Sequence, residues 1–348
     1  MMPVEVLEEA KNEFMNYKDS GMSIMEINHR SLLFNDIIAE AEADLRELLD
    51  IPNNYKVLFL QGGASLQFAA IPMNLMRNRK AGFVISGHWA KRAYDEAKMY
   101  GNAIELSSSA DRNYNYIPYV DRSCIPDGLD YVHICQNNTI YGTQFTELPD
   151  IGNNNLVSDM SSCILSQPID ISRYALIFAG SQKNMGTAGT TVVIVREDLV
   201  TDFVREDTPM VLRYKNQLDS NSRYNTPSCY STYICGKMFK WLKKEGGLSV
   251  MEKKNKEKAK LLYDFLDESD LFTGTAQKEY RSIMNVTFTT GNSEEDMRIV
   301  EDSKKQGFVS IKGHRFVGGL RASLYNAIPV DNVKTLVEYL RDFERCNG

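Results

Sequence analysis

The sequence predicts an α/β protein: a large domain on a mostly parallel, seven-stranded sheet, followed by a smaller α+β C-terminal domain. Three observations carry this expectation. Seven short apolar runs alternate with helical or turn segments between Tyr55 and Val195. Several are β-branched and apolar at successive positions, the pattern of strands buried on both faces. After Glu197 the rhythm changes to longer amphipathic helices set around fewer strands.

In order, the runs are KVLFL, GFVIS, AIEL, YVHIC, NLVSD, YALIFAG and TTVVIV. A polar stretch from Tyr214 to Ser231 leads into two helices ending near Lys244 and Asp267, split at Gly246-Gly247. IMNVTFTT reads as a strand, Glu294 to Lys305 as a helix, and the segments around Val309 and Leu320 as strands. A closing helix carries Val333, Leu336, Val337, Leu340 and Phe343 at helical spacing. The expected division is an N-terminal segment 1–16 packing with the small domain, a large domain 17–249 and a small domain 250–348.

Composition removes several function classes. Forty Lys and Arg against 46 Asp and Glu give a net charge of −6, which argues against a dedicated nucleic-acid binder. The acidic N-terminus MMPVEVLEEAKNEF lacks the basic flank and apolar centre of a secretory signal. The stretches poorest in charge, 57–76 and 174–195, are interrupted by Gln-Gly-Gly, Pro72 and Asn74 and by Ser-Gln-Lys-Asn, so no membrane span is expected. Six cysteines without a C-x-x-C pair suit a reducing, cytoplasmic setting, and four dispersed histidines predict no metal site.

Two charges stand out by context. Lys183 is the one charged residue between Tyr174 and Val195, just past a buried strand in the turn SQKNMGTAG; Asp159 is the one charge between Ile151 and Ile169 and ends NLVSD. Both project from the carboxyl ends of strands, the edge where open α/β sheets bind ligands. An amine and a carboxylate there suggest pyridoxal phosphate, whose aldehyde joins a lysine and whose ring nitrogen needs an anion. The ordinary alternatives are a lysine reaching to water and an aspartate capping a turn. VLFLQGGASLQF offers free backbone N–H groups at Ala64 and Ser65 for a phosphate, although glycine pairs are common in turns. Trp89, in SGHW, can stack on an aromatic ring or simply fill core. The His-Arg pair occurs twice, at His29-Arg30 and His314-Arg315, with Arg321 six residues beyond the second; these are grips for a substrate with two anionic ends, or surface salt bridges.

The segments SIMEINHRS, NYKVLFLQGGASLQFAAIPMNL, SGHWAKRA, HICQNNTIYG, SDMSSCILSQPIDISRYALIFAGSQKNMGTAGTTVVIVRED, RYNTPSCY and KGHRFVGGLRASLYNA together resemble the phosphoserine aminotransferases, class V enzymes of the fold-type I pyridoxal-phosphate group. The resemblance implies that Lys183 is the Schiff-base lysine, Asp159 the partner of the pyridine nitrogen and Trp89 the stacking ring. It implies that Ala64, Ser65 and Gln182 bind the cofactor phosphate and that Thr139 bonds the ring hydroxyl region. Asn225 and Thr226 would reach the cofactor phosphate of the other subunit in a homodimer with shared active sites. Arg321 would hold the substrate α-carboxylate, and His29, Arg30, His314 and Arg315 would surround its distal phosphate. The implied reaction is reversible amino transfer from glutamate to 3-phosphohydroxypyruvate, with a side role in vitamin B6 synthesis. Rival readings are a glyoxylate-using or sulfur-removing class V enzyme and a catalytically impaired cofactor-binding protein. Two departures from the family pattern are Ser65, where some relatives have arginine, and the opening at MMPVEVLEEA, where relatives carry a further leading segment near the site; loss of that segment would bear on glutamate binding.

Overall fold

Chain segments that are apolar on consecutive residues can be satisfied only between two covering layers, and the seven runs meet that demand as one central sheet. The structure, a computed structural model, describes residues 2–347; Met1 and Gly348, at the outer ends of the first and last expected segments, lie outside the described residues. The strands are β1 (Tyr55–Leu60), β2 (Lys80–Ile85), β3 (Asn102–Ser108) and β4 (Tyr131–Cys135), the short hairpin β5 (Asn137–Asn138) and β6 (Thr143–Gln144), then β7 (Leu156–Asp159), β8 (Leu176–Gly180) and β9 (Thr191–Arg196). The large sheet has the order β1-β9-β8-β7-β4-β2-β3. From β8 through β7, β4 and β2 to β3 every pairing is parallel, while β9 runs antiparallel to both β8 and β1. The expected seven-stranded, mostly parallel sheet is therefore present.

Helices cover both faces. They are α1 (Val4–Glu13), α2 (Leu32–Leu49), α3 (Gly63–Leu75), α4 (His88–Ala97), α5 (Tyr214–Asp219), α6 (Cys229–Lys244), α7 (Gly247–Glu268), α8 (Ser293–Lys305) and α9 (Val330–Asn347). Alternation along β1 sorts the faces: Val57 and Phe59 join the core with Phe34, Ile37 and Ala41 of α2 and Ile234 and Phe239 of α6, whereas Leu58 joins Phe68 and Ile71 of α3 and Ala93 of α4. The smaller layer is an antiparallel sheet, β10 (Thr273–Gly274), β11 (Asn285–Thr289) and β12 (Leu320–Ser323), packed with α7, α8 and α9 around Phe265, Phe272, Phe288 and Leu340.

In the N-terminal segment Glu9 and Glu13, one helical turn apart, meet Lys237 of α6 at 2.5 and 2.8 Å. One detail differs from the sequence reading. No strand forms at Val309, which is 76% exposed, because Gly307 and Ser310 both take positive φ and break the extended run. No described helix is long and apolar enough to cross a membrane.

Candidate active site

Parallel strands end side by side, so whatever follows β4, β7 and β8 is gathered at one edge. Cys135 ends β4 and pairs in register with Asp159, which ends β7 and pairs with Phe178 of β8. At this edge lies a cavity of about 170 Å³ whose walls include Ala64, Ser65, Trp89, Thr139, Asp159, Gln182 and Lys183. Seven of the residues singled out in the sequence thus share one enclosure.

Asp159 is 5% exposed, and its Oδ1 accepts hydrogen bonds from the backbone N–H and the hydroxyl of Ser161, at 2.9 and 2.6 Å. The turn-capping alternative is therefore also realised, in the same side chain that faces the cavity. Burial raises its pKa, against the lowering effect of Ser161 and Lys183, and among the described residues no cation forms an ion pair with it. Half-buried Lys183 donates from Nζ to Thr139 Oγ1 at 2.8 Å. Facing them, α3 begins at Gly63 with no side-chain cap and no acidic residue in its first turn. Gly62 takes φ +88°, and a Cβ there would stand 2.4 Å from Leu66 Cδ2, so the turn that opens this helix requires glycine. Uncapped first-turn N–H groups at a helix start favour an anion.

A second group stands behind the cavity walls, reaching them at Thr139 and Trp89. Arg321 on β12 donates from Nη1 to the carbonyl of Thr139 at 3.2 Å, and its buried Nε has no partner among the described residues. The segment between α8 and β12 brings His314 and Phe316 to α4: the His88 ring lies 4.7 Å from Phe316, 6.4 Å from His314 and 5.0 Å from Trp89. Arg315 stacks on Phe316 at 5.0 Å, and Arg92 lies 5.7 Å from the Trp89 ring. Burial and then Arg92, His314 and Arg315 hold His88 below its ordinary pKa; burial, Arg321 and Arg315 do the same to His314. Arg92, Arg315 and Arg321 thus gather positive charge here, and among the described residues no carboxylate forms an ion pair with them. His88, Arg92 and Phe316 were not singled out in the sequence, although SGHWAKRA sets His88 beside Trp89 and Arg92 one turn further on.

Four expected site residues stand elsewhere in the chain. His29 and Arg30 occupy the turn before α2, where the Arg30 N–H donates to Asn28 Oδ1 at 2.8 Å. Asn225 donates to Gln61 Oε1 at 2.8 Å, and Gln61 donates to the Thr226 carbonyl at 2.5 Å. None of the four lines the cavity. An amine, a buried carboxylate lacking a cation, a bare helix start and an indole on one small enclosure fit the needs of pyridoxal phosphate.

The aminotransferase class-V family model matches residues 1–336. The chain is 48% identical to the phosphoserine aminotransferase of Bacillus cereus, covering 100% of this chain and 96% of that protein. It is 47% identical to that of Histophilus somni, over 100% and 97%. Among solved structures, phosphoserine aminotransferase from Bacillus circulans subsp. alkalophilus superposes with a TM-score of 0.96 at 43% identity, covering 100% and 97% of the two chains. The PLP-bound enzyme from Trichomonas vaginalis gives 0.92 at 35% identity, over 98% and 97%. Extent and identity together place the chain: it belongs to the class V aminotransferases and, within them, to the phosphoserine aminotransferases, pyridoxal-phosphate enzymes of fold type I.

Proposed function

We propose that the chain catalyses reversible transfer of the amino group of L-glutamate to 3-phosphohydroxypyruvate, giving O-phospho-L-serine and 2-oxoglutarate, in the cytoplasm as a step of serine biosynthesis. The observation that supports it most is the pairing of two separate cationic features at one cavity. Arg321 stands beside Thr139 and Lys183, while His314, Arg315 and Arg92 gather near Trp89. A substrate with a carboxylate at one end and a phosphate at the other needs two such grips.

Bound pyridoxal phosphate supplies an electrophilic carbon and an electron sink. The remaining work falls to side chains. Lys183 carries the cofactor and moves the proton at the substrate α-carbon as general acid and base, with the Thr139 hydroxyl fixing Nζ. Asp159 holds the proton on the ring nitrogen. Ala64, Ser65 and Gln182 take the cofactor phosphate, and Trp89 covers the ring and excludes water. Arg321 binds the α-carboxylate; His314 and Arg315, with His29 and Arg30, bind the distal phosphate. In this division, residues 17–249 carry the cofactor wall together with His29 and Arg30, and residues 250–348 carry the substrate grips Arg321, His314 and Arg315.

The enzyme works as a homodimer in which Asn225 and Thr226 serve the partner subunit's cofactor phosphate. What supports this is exposed apolar surface beside the displaced residues: Leu32 and Met25, 80% and 57% exposed, flank His29-Arg30, and Tyr224 adjoins Asn225. A phosphorylated hydroxythreonine keeps the same two anionic ends, so a side role in vitamin B6 synthesis follows from the same grips. Burial raises the Cys135 thiol well above its ordinary range, which counts against a sulfur-removing reaction at this cavity.

The test is the half-reaction of the holoenzyme with phosphoserine, alanine and cysteine, in wild type, Arg315→Ala and Arg321→Ala. Phosphoserine should be strongly preferred. Arg315→Ala should lose that preference by roughly tenfold or more, and Arg321→Ala should weaken every amino acid. Equal losses across all substrates in both variants would overturn the assignment of the two ends.

A further inference from the structure

Lys258, in the middle of α7, is 1% exposed. Its Nζ donates to the carbonyl oxygens of Leu324 and Tyr325, both at 2.9 Å, and among the described residues no carboxylate on any element pairs with it. The charge acting on it is Lys254 on its own helix, itself paired with Glu245 at 2.5 Å. From the segment after β12 it faces the two carbonyls, and the Tyr325 phenol next to them is engaged by Asn285 Nδ2 at 3.3 Å. Burial and Lys254 bring the Lys258 pKa down to about 7. A neutral amine has two N–H groups for two carbonyls, whereas an ammonium has a third with no acceptor.

The backbone that Lys258 holds lies between two parts of the site. Upstream, β12 carries Arg321, whose Nη1 bonds the Thr139 carbonyl, and Thr139 Oγ1 accepts from Lys183. Downstream, the Asn326 N–H donates to Oδ1 of Asn184, the neighbour of Lys183, at 3.1 Å. Asn326 Nδ2 donates to the Leu165 carbonyl at 2.8 Å. Asn255, one turn before Lys258, donates to the Ser166 carbonyl and to Asn326 Oδ1, each at 2.9 Å. Hydrogen bonds and chain thus close a circuit: Lys183, Thr139, Arg321, the 324–326 segment, Asn184 and back to Lys183.

We propose that Lys258 is a positioning residue, which by gripping the backbone between Arg321 and Asn326 sets the Arg321 fork and the Lys183 turn at their working separation. The proposal rests on the reading of Arg321 as the carboxylate grip and of Lys183 as the reacting amine. It explains why a lysine stands in an apolar interior: its amine gives the carbonyls of Leu324 and Tyr325 donors that methionine would withhold.

The experiment compares wild type, Lys258→Met, Asn255→Ala and Arg321→Ala as holoenzymes with glutamate from about pH 6 to 9. Lys258→Met should retain cofactor, raise KM by about tenfold and change kcat less; the wild-type inflection of kcat/KM near neutral pH should vanish in it. Asn255→Ala, which cuts the second anchor of the same segment, should raise KM and keep the inflection. It carries the test alone if Lys258→Met does not fold. Values within twofold of wild type, with an unchanged pH profile, would overturn the proposal provided Arg321→Ala raises KM. If Arg321→Ala leaves KM unchanged, the reading of the site itself fails instead.

Discussion

Replacing Asp159 by asparagine separates what the carboxylate does for the fold from what it does for the cofactor. In the protein without cofactor, Oδ1 accepts both hydrogen bonds from Ser161, and an amide oxygen of the same shape can accept them too. Burial raises the carboxyl pKa above its unfolded value. A group raised in this way loses favourable free energy as pH climbs from the ordinary carboxylate range through the raised value, so near neutrality the empty protein carries an unfavourable buried charge. Asp159→Asn should therefore leave the empty protein as stable as wild type, or more stable. On the proposed pairing with the ring nitrogen the sign reverses once cofactor is bound, because breaking a buried ion pair costs about 3–5 kcal/mol, roughly two to four powers of ten in affinity. The assay is titration of cofactor-free protein with pyridoxal phosphate, followed by visible absorbance, alongside melting curves with and without cofactor. Affinity within about threefold of wild type would refute the pairing with the ring nitrogen. A large loss of stability in the empty protein would refute the account of the Ser161 turn.

His133, 2% exposed on β4, has no hydrogen-bond partner at either ring nitrogen among the described residues and lies between Phe83 and Phe178, at 5.4 and 6.0 Å; burial brings its pKa down to about 3. The unfolded chain then binds the extra proton first, so stability should fall as pH drops from about 6.5 toward 3, by ~2 kcal/mol at pH 5 from this group alone. His133→Phe should flatten that acid limb in denaturant titrations, and parallel slopes in the two proteins would show that another group is responsible. Subunit exchange between Lys183→Ala and the double variant Asn225→Ala/Thr226→Ala should yield one sound site per heterodimer, with activity above either parent. Heterodimers without recovered activity would make the Asn-Thr-Pro segment an ordinary turn.

How much of this was legible in the sequence depends on which physical quantity each feature expresses. Lys183 and Asp159 were legible because a lone charge in an apolar stretch is a local anomaly that needs no partner to be noticed. The seven strands were legible for the same reason, since continuous apolarity is a one-dimensional property. Direction is not: TTVVIV reads alike in either sense, and only the short connection from β8 through SQKNMGTAG fixes β9 as antiparallel. The strand expected at Val309 failed because apolar residues near it outweighed Gly307 and Ser310, whose backbone geometry decides the matter. Contacts between distant segments, such as His88 with Phe316 or Asn225 with Gln61, have no local signature, and polar residues in turns look alike until the fold chooses among them. Thr139 is the extreme case. Nothing in HICQNNTIYG marks that threonine, and resemblance alone pointed to it. Its importance comes from the crossing of three elements: the β5–β6 turn offers a hydroxyl to Lys183, just past β8, and a carbonyl to Arg321 on β12, so one small residue meets two basic side chains. Loss of the hydroxyl alone would free Lys183 and leave Arg321 bound, a separation of roles that the sequence could not have expressed.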